Sequence, residues 1–279
     1  MKRTRPPALR KGDVIGICAP ASPPLRRDDL ARGIAYLEGL GYRVEPGRNL
    51  YKKDGYLAGS DRERASDLNR LFSDRSVRAI VALRGGYGSM RILPMIDYAV
   101  VRRNPKIFVG YSDLTAVQMA LWAKCGLVSF AGPMAAAGMA RGLEGEAEET
   151  LWRMLTSRHP FGPLRTPATV IRRGTASGTL LGGNLSMISH LAGTPYLPPA
   201  RNGVLFFEDI GEQPYRIDRM FQHLRLAGTF GGVRGVILGH FADCVPEKGK
   251  PSLSLRRIFD DVFGDFDVPV VSGIRHGHL

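Results

Sequence analysis

Residues 78–88 read RAIVALRGGYG, in which the apolar run Arg78–Leu83 leads directly into a turn with three glycines in four positions. A short apolar run that ends in such a turn is typical of a buried strand in a parallel sheet. Ligands bind beyond the carboxyl ends of these strands, and glycines allow the backbone to approach a ligand closely. Arg84–Gly88 is therefore a candidate binding loop; the alternative is a tight turn that needs positive φ. Neither the full G-x-G-x-x-G pattern nor a Walker A sequence is present, so a nucleotide site is not indicated.

The sequence around this run alternates strand patterns with helix patterns. Besides Arg78–Leu83, we predict strands at Asp13–Ala19, Tyr42–Glu45, Lys106–Gly110 and Leu127–Phe130. The spacing of apolar residues predicts helices at Leu30–Leu40, Asp61–Phe72, Leu114–Lys124 and Ala147–Leu155. Strands that alternate with helices indicate an α/β fold with a mostly parallel sheet and helices on both faces.

A proline- and glycine-rich stretch interrupts this pattern between Thr156 and Thr175. Such a break favours a domain boundary. We therefore predict an N-terminal domain over residues 1–156, a linker over 157–175 and a C-terminal domain over 176–279. In the second domain we expect strands at Ser177–Leu181, Gly203–Phe207, Gly235–Gly239 and Val268–Val271, and a helix at Pro214–Leu226.

The composition excludes several classes of protein. Of the 279 residues, 44% are hydrophobic and 23% are charged, which excludes intrinsic disorder. No apolar run is long enough to span a membrane and no apolar segment follows the basic start, so we expect a cytoplasmic protein with no membrane partner. The net charge of +13 is scattered along the chain, which argues against a nucleic-acid partner. Cys18, Cys125 and Cys244 are widely separated, and we expect them to be buried packing residues.

A second candidate loop, VGYSDLT at residues 109–115, leads from a predicted strand into a helix. Ser112 lies at this turn, where backbone N–H groups and the helix dipole can stabilise a developing anion. The arrangement is similar in logic to a nucleophile elbow, although Leu114 replaces the second glycine of G-x-S-x-G. The alternative is that Ser112 or Asp113 only caps the helix.

A nucleophilic serine needs a base, and the base needs an acid that orients it. The histidines that follow predicted strands are His240, His276 and His278. Three carboxylates come just after a predicted apolar strand and suggest a polar cavity: Glu208, Asp209 and Glu212. No H-E-x-x-H motif and no cluster with metal-ligand spacing occurs, so no metal is predicted.

Six motifs in order along the chain match one family. They are GDVIGICAPASP at 12–23, ALRGGYGSMRILPMIDY at 82–98, KIFVGYSDLTA at 106–116, LLGGNLSM at 180–187, LFFEDIGEQPYRIDRM at 205–220 and GVILGHFADC at 235–244. Together they resemble the LD-carboxypeptidases, which are also called muramoyltetrapeptide carboxypeptidases. These serine peptidases act in peptidoglycan recycling. The resemblance extends over essentially the whole chain.

This resemblance implies an N-terminal flavodoxin-like domain, a smaller β-rich α/β domain after it, and a site between them. It assigns the triad to Ser112 as nucleophile, Glu208 as the orienting acid and His278, in a terminal Gly-His motif, as base. The oxyanion hole falls on backbone N–H groups of Gly85, Gly86 and Asp113.

The resemblance also implies the reaction, which is release of the terminal D-alanine from L,D-linked murein tetrapeptides. No cofactor is needed, and a homodimer is expected. Guanidinium groups pair well with the carboxylates of such a peptide, so the candidate substrate residues include Arg84, Arg91 and Arg216, with ordinary salt bridges as the alternative role. Asn184 and Glu212 match positions that line the cleft of the family, and Glu212 would meet the free amine of the substrate.

The chain departs from the family at one point, because members generally continue past the Gly-His motif whereas this sequence stops at Leu279. Either a shortened tail holds His278 in place or, since chain ends fray unless they are anchored, His278 is weakly placed, with His276 and then His240 as replacement bases. Two other functions stay open. One is the microcin C immunity branch of the family, which cleaves a peptide–nucleotide conjugate, and the other is a non-catalytic muropeptide-binding protein.

Overall fold

The structure is a computed structural model that describes residues 3–143, 145–164 and 166–278. The chain divides into two compact units, Met1–Pro163 and Leu164–Leu279. Within the described ranges, no helix is both long and apolar enough to cross a lipid bilayer.

The first unit contains a five-stranded parallel sheet. Its strands are β1 (Val14–Cys18), β2 (Arg43–Pro46), β3 (Val77–Ala82), β4 (Ile107–Gly110) and β5 (Phe130–Ala131). Its helices are α1 (Asp29–Gly39), α2 (Asp61–Ser73), α3 (Tyr98–Arg103), α4 (Thr115–Cys125) and α5 (Gly145–Thr156). The strand order β2-β1-β3-β4-β5 is that of flavodoxin-like folds, so the predicted fold of this unit is confirmed.

The inner strands β1, β3 and β4 are largely buried, which explains why their sequences are mostly apolar, whereas the edge strand β2 is partly exposed. Every residue of β1 is buried, and β4 is equally so. Helix α2 approaches β1 closely, since a Cβ added at Gly16 would lie 2.8 Å from a methyl carbon of Leu71. This helix begins with a capping box, in which Ser60 accepts the N–H of Glu63 and Glu63 accepts the N–H of Ser60.

One buried arginine on α2 joins the loops that follow β1 and β3. The side chain of Arg64 is 1% exposed. Its Nη1 donates to the carbonyl oxygens of Pro20 and of Gly88, the latter at 2.8 Å, and its Nη2 pairs with Asp61. Burial lowers the pKa of the Arg64 guanidinium, and the charge of Asp61 opposes that shift. The carboxyl ends of two neighbouring strands are therefore tied to one side chain.

The second unit contains a mixed five-stranded sheet in the order β6-β10-β9-β8-β7. The strands are β6 (Thr169–Arg172), β7 (Thr179–Asn184), β8 (Gly203–Ile210), β9 (Gly235–Ala242) and β10 (Val270–Ser272). Strands β7 to β10 are parallel, and β6 pairs with β10 in the antiparallel sense. The helices are α6 (Leu185–Leu191), α7 (Pro214–Leu226) and α8 (Leu255–Phe263).

Phenylalanine rings form much of the core of the second unit. Phe221 on α7 is fully buried. Its ring lies 5.1–6.4 Å, centroid to centroid, from those of Phe207, Phe241, Phe259 and Phe263. Edge-to-face aromatic pairs stabilise a core beyond the area that they bury. Helices α7 and α8 are thus fixed to β8 and β9 through one ring.

Several elements differ from the sequence-based expectation. Strand β6 lies inside the predicted linker, and its residues pair with β10 despite the prolines and glycines around them. Helices α6 and α8 were not predicted, because they are short, with seven and nine residues. Helix α8 also follows a polar stretch. Strands β8 and β9 continue past Phe207 and Gly239, so Glu208, Asp209 and His240 lie within strands rather than after them.

Replacing Arg64 with methionine leaves the carbonyls of Pro20 and Gly88 buried without this donor. We expect Arg64→Met to lower the free energy of unfolding by about 1–3 kcal/mol. Arg62→Met is the matched control, because Arg62 lies on the same helix and is exposed, and we expect a change within about 0.5 kcal/mol. Urea unfolding followed by tryptophan fluorescence measures this, since Trp122 and Trp152 both belong to the first unit. Equal effects of the two substitutions would contradict the role given to Arg64.

Truncating Phe221 removes the ring that joins α7 and α8 to the sheet. Phe221→Ala is expected to destabilise the second unit by about 3–5 kcal/mol. Leu226→Ala on the same helix is the control, because Leu226 is 88% exposed. Far-UV circular dichroism during urea unfolding reports on both units and tryptophan fluorescence on the first alone, so a dichroism transition that the fluorescence does not share belongs to the second unit. A midpoint no lower than that of Leu226→Ala would show that the aromatic cluster is not a major source of stability.

Candidate functional site

Ser112 lies in a strained turn between β4 and α4. Its φ is 63°, whereas most residues other than glycine avoid positive φ. It begins a 3-10 turn, Ser112–Leu114, that continues directly into α4. A serine held at positive φ between a strand and a helix has the geometry of a nucleophile elbow.

The alternative that Ser112 or Asp113 only caps the following helix is not supported. In this described part of the chain, no side chain caps the 3-10 turn or the start of α4. The carboxylate of Asp113 instead accepts the backbone N–H of Ser89 at 2.9 Å, and the hydroxyl of Ser89 donates to the carbonyl oxygen of Asp113 at 2.6 Å. Burial raises the pKa of Asp113, and its hydrogen bonds to Ser89 oppose that shift.

The glycine loop lies against this serine. A Cβ added at Gly85 would be 3.1 Å from the Cβ and 3.3 Å from the Oγ of Ser112. At Gly86, φ is 106° and an added Cβ would be 2.4 Å from the Oγ of Ser22. Both positions therefore need glycine, one for close approach to Ser112 and the other for its backbone conformation and its contact with Ser22.

Ser22, in the loop after β1, holds the glycine loop in place. It is buried, its Oγ accepts the N–H of Tyr87 at 3.1 Å, and its own N–H donates to the carbonyl of Gly85 at 3.3 Å. Sequence reasoning missed Ser22, Ser89 and Arg64. Only Arg64 had a readable signal, since it occupies the apolar stripe of α2 four residues before Leu68, where a charged residue needs buried partners.

In the second unit, Glu208 and His278 form a hydrogen-bonded pair. Glu208 is 3% exposed, and its Oε2 lies 2.6 Å from Nδ1 of His278. The same oxygen accepts the backbone N–H of His278 at 3.1 Å. A carboxylate at Nδ1 favours the tautomer with the proton on Nδ1 and with Nε2 unprotonated, which is the tautomer that a general base requires.

Gly277 allows the chain to pass directly over Glu208. Its φ is 121°, and an added Cβ would lie 2.7 Å from Oε2 of Glu208. The weak placement expected for His278 is not what the structure shows, because the two bonds to Glu208 anchor both its ring and its backbone. Leu279 lies outside the described residues.

The two replacement histidines make different contacts. The ring of His276 packs edge-to-face on Phe206 at 5.1 Å, and the backbone N–H of His240 donates to the carbonyl of His276 at 2.9 Å. Among the described residues, neither of these imidazoles hydrogen-bonds to Glu208. The acid of this unit is bonded to His278.

Asp209 and Asn184 connect the ends of β7 and β8. Asp209 accepts hydrogen bonds from the amide of Asn184 at 2.8 Å and from the N–H and hydroxyl of Ser186 at 2.9 and 2.7 Å. Asn184 also caps α6 by accepting the N–H of Met187. Burial raises the pKa of Asp209, and these donors oppose the shift. Asn184, predicted to contact substrate, therefore also has a structural role beside Glu208.

The three candidate arginines differ in their partners. Arg91 is paired with Asp61 at 2.9 Å, and Arg216 lies 3.5 Å from Glu212, so salt bridges occupy both. Arg84 is half-buried next to the glycine loop and donates to the carbonyl of Pro23. Burial lowers its pKa, and no carboxylate among the described residues pairs with it. Of the three arginines, Arg84 is the one without a carboxylate partner among the described residues.

The described residues contain no group of three or more His, Cys, Asp or Glu side chains that could hold a metal ion. The three cysteines are buried, as predicted, and burial raises the pKa of the Cys244 thiol to about 11. What the geometry supplies is a strained serine beside a glycine loop in one unit and an acid–histidine pair in the other. These are the components of nucleophilic acyl transfer.

Comparison with known proteins matches both units of the chain to one family. The LD-carboxypeptidase N-terminal domain matches residues 15–132, and the LD-carboxypeptidase C-terminal domain matches residues 177–279. The "Probable murein peptide carboxypeptidase" of Bacillus subtilis is 38% identical over 98% of this chain and 86% of its own length.

Solved structures show the same fold. The muramoyltetrapeptide carboxypeptidase of Oxalobacter formigenes is 33% identical, with a TM-score of 0.81 over 95% of this chain and 89% of that protein. The structure of MccF in complex with glutamyl sulfamoyl guanosine is 25% identical, with a TM-score of 0.87 over 98% of this chain and 90% of that one. With both of its units matched and the resemblance in its motifs confirmed, the chain belongs to the LD-carboxypeptidase family.

Proposed function

We propose that this protein is a serine LD-carboxypeptidase that releases the terminal D-alanine from L,D-linked murein tetrapeptides. The main support is the short bond between Glu208 and His278, because it is the arrangement that turns a histidine into a base for a serine. The names of the relatives, which are carboxypeptidases of murein peptides, support the substrate class. A role in peptidoglycan recycling, a cytoplasmic location and a homodimer complete the proposal, as the family resemblance implies.

In the proposed mechanism, Oγ of Ser112 attacks the carbonyl carbon of the L-centre that is joined to the terminal D-alanine. His278 takes the hydroxyl proton and then gives it to the leaving amine of D-alanine. Glu208 keeps the imidazole in the required tautomer and stabilises its protonated form. Water then hydrolyses the acyl-enzyme, with His278 acting again as base, and Ser112 is restored.

The negative charge of the tetrahedral intermediate would be stabilised by backbone N–H groups of Asp113 and of Gly85 or Gly86. The contact between Gly85 and Ser112 supports this assignment, since it places loop backbone beside the nucleophile. A single donor of this kind contributes about 10²–10³ in rate. The bonds from Arg64, Ser22 and Ser89 would keep the donors in position before substrate arrives.

Recognition of the peptide is assigned to charged groups in both units. Arg84 is proposed to bind the terminal carboxylate, because it is half-buried and has no carboxylate partner among the described residues. Glu212 is proposed to meet the free amine of the third residue, with Arg216 beside it and Asn184 at the end of β7.

A second candidate function is cleavage of a peptide–nucleotide conjugate. The observation that favours it is the likeness to MccF, whose structure holds glutamyl sulfamoyl guanosine. The two functions share the serine mechanism and differ in the leaving group. Parallel assays with a murein tetrapeptide and with glutamyl sulfamoyl guanosine distinguish them.

Substituting the nucleophile should abolish the reaction. We expect Ser112→Ala to reduce D-alanine release from L-Ala-D-Glu-meso-diaminopimelate-D-Ala by at least about 10³-fold. Wild-type release is expected to be unaffected by EDTA. A coupled D-amino-acid oxidase assay measures it, with Ser157→Ala, a serine remote in sequence from both loops, as control. Full activity in Ser112→Ala would disprove the proposed nucleophile, and release of nucleoside without D-alanine would favour the second function.

Neutralising Glu208 should slow the same reaction, because it weakens the support of His278 as a base. Glu208→Gln keeps the size of the side chain but loses the charge that stabilises the imidazolium, so we expect kcat to fall by about 10²–10⁴. In the double variant Ser112→Ala/Glu208→Gln the loss should be no larger than in Ser112→Ala alone, because members of one catalytic unit are not additive. Losses that multiply in the double variant would mean that Glu208 acts independently of Ser112.

A further inference from the structure

A buried glutamine on α4 bonds to the ends of two strands of the first sheet. Gln118 is 4% exposed, and its amide nitrogen lies 2.9 Å from the carbonyl oxygen of Gly110 and 2.9 Å from that of Phe130. Gly110 is the last residue of β4, and Phe130 is the first of β5. An amide NH2 group has two hydrogens, so it can donate one to each carbonyl. The proposed mechanism makes no use of this side chain, although it lies on the helix that follows the nucleophile.

The bond to Gly110 acts on the backbone immediately before Ser112. The one residue between them, Tyr111, has an extended backbone with φ −153° and ψ −173°. A Cβ added at Gly110 would lie 3.0 Å from the Cβ of Leu114, so the 3-10 turn that contains Ser112 packs directly on this glycine. The positive φ of Ser112 persists only where the surrounding structure restrains it. Gln118 supplies such a restraint, because it fixes the carbonyl at the strand end from which the turn begins.

The bond to Phe130 acts on the glycine loop through the segment that follows β5. Six residues after Phe130, the N–H of Ala136 donates to the carbonyl of Leu83 at 2.8 Å. Leu83 is two residues before Gly85, and the backbone at Gly85 contacts Ser112. The glutamine amide is therefore connected to both sides of the contact between the serine and the glycine loop.

The spacing across that contact matters for catalysis. In acyl transfer, the nucleophile and the oxyanion donors act on the same carbonyl group, and a displacement of about 1 Å can cost about 10²-fold in rate. A hydrogen bond restrains direction as well as distance, since it weakens steeply when it is bent. An apolar side chain of the same length would fill the same space on α4 without either restraint.

We propose that Gln118 is a positioning residue that holds the turn of Ser112 and the glycine loop at the spacing that acyl transfer needs. This inference rests on the proposed function, in which Ser112 is the nucleophile. Gln118 is buried and acts through the carbonyls of Gly110 and Phe130 rather than on the substrate. Its loss should therefore lower kcat and leave the binding of the peptide unchanged.

The test removes both donors with Gln118→Met, which keeps the length of the side chain. We expect kcat for D-alanine release to fall by about 10- to 100-fold and KM to stay within about twofold of the wild-type value. In Gln118→His, the imidazole Nε2–H reaches the position of the amide nitrogen and keeps one bond, so its kcat should lie between those of Gln118→Met and the wild type. Leu121→Ala is the matched control, because Leu121 is fully buried on the same helix and its side chain donates no hydrogen bond. Its kcat should be unchanged wherever it is folded, even if its urea midpoint is lower.

Hydrogen–deuterium exchange measures the same restraint without turnover. Residues 83–88 and 110–116 should exchange faster in Gln118→Met than in the wild type or in Leu121→Ala. Wild-type kcat and wild-type exchange in Gln118→Met overturn the positioning role, and so does an equal loss of kcat in Leu121→Ala. Absence of D-alanine release from the wild type overturns the proposed reaction instead. Exchange then decides the role of Gln118: faster exchange of both segments in Gln118→Met alone supports it, and unchanged exchange overturns it.

Discussion

The buried guanidinium of Arg64 is the interaction on which the arrangement of the first unit's loops depends. A charge taken out of water must find acceptors inside the protein. Arg64 finds them in the loops after β1 and β3, at Pro20 and Gly88, and in Asp61 at the start of its own helix. From Gly88 the connection continues through Ser89 to Asp113, the neighbour of Ser112. One side chain on a helix thereby restricts the backbone beside a serine on the opposite side of β3.

In the second unit, the histidine is positioned in a different way. There a single carboxylate oxygen of Glu208 accepts both the ring and the backbone N–H of His278. Gly277 makes these two hydrogen bonds geometrically feasible, because any side chain at that position would meet the carboxylate of Glu208. Asp209, next in the strand, connects β8 to α6 through Ser186. Adjacent acids in one strand thus bond to different partners, Glu208 to His278 and Asp209 to Asn184 and Ser186.

The sequence alone predicted the parallel sheet of the first unit, the positions of its strands within a few residues, and helix α7 at its observed bounds. These elements could be predicted because apolar runs and glycine turns are local features of the sequence. Strand β6 could not be predicted in this way, because its only described partner is β10, which lies almost a hundred residues later in the chain. The polar residues at Glu208 and Asp209 were interpreted as a strand end, although they lie within β8 because buried hydrogen bonds satisfy them. Ser112 and the glycine loop were found from spacing and chemistry, while Ser22 and Ser89 bind through backbone groups that no sequence pattern reveals.

The position of β10 between β6 and β9 has a consequence for how the protein folds. Among the described strands, β6 pairs with β10 alone, and β10 lies between β6 and β9. As the nascent chain leaves the ribosome, all elements of the first unit emerge before those of the second, and domains generally fold as units in that order. Strand β6 must then wait for residues 270–272 to pair, and Glu208 waits for His278, only a few residues further on. Completion of the second sheet and assembly of its acid–histidine pair therefore both depend on the emergence of one short segment, residues 270–278.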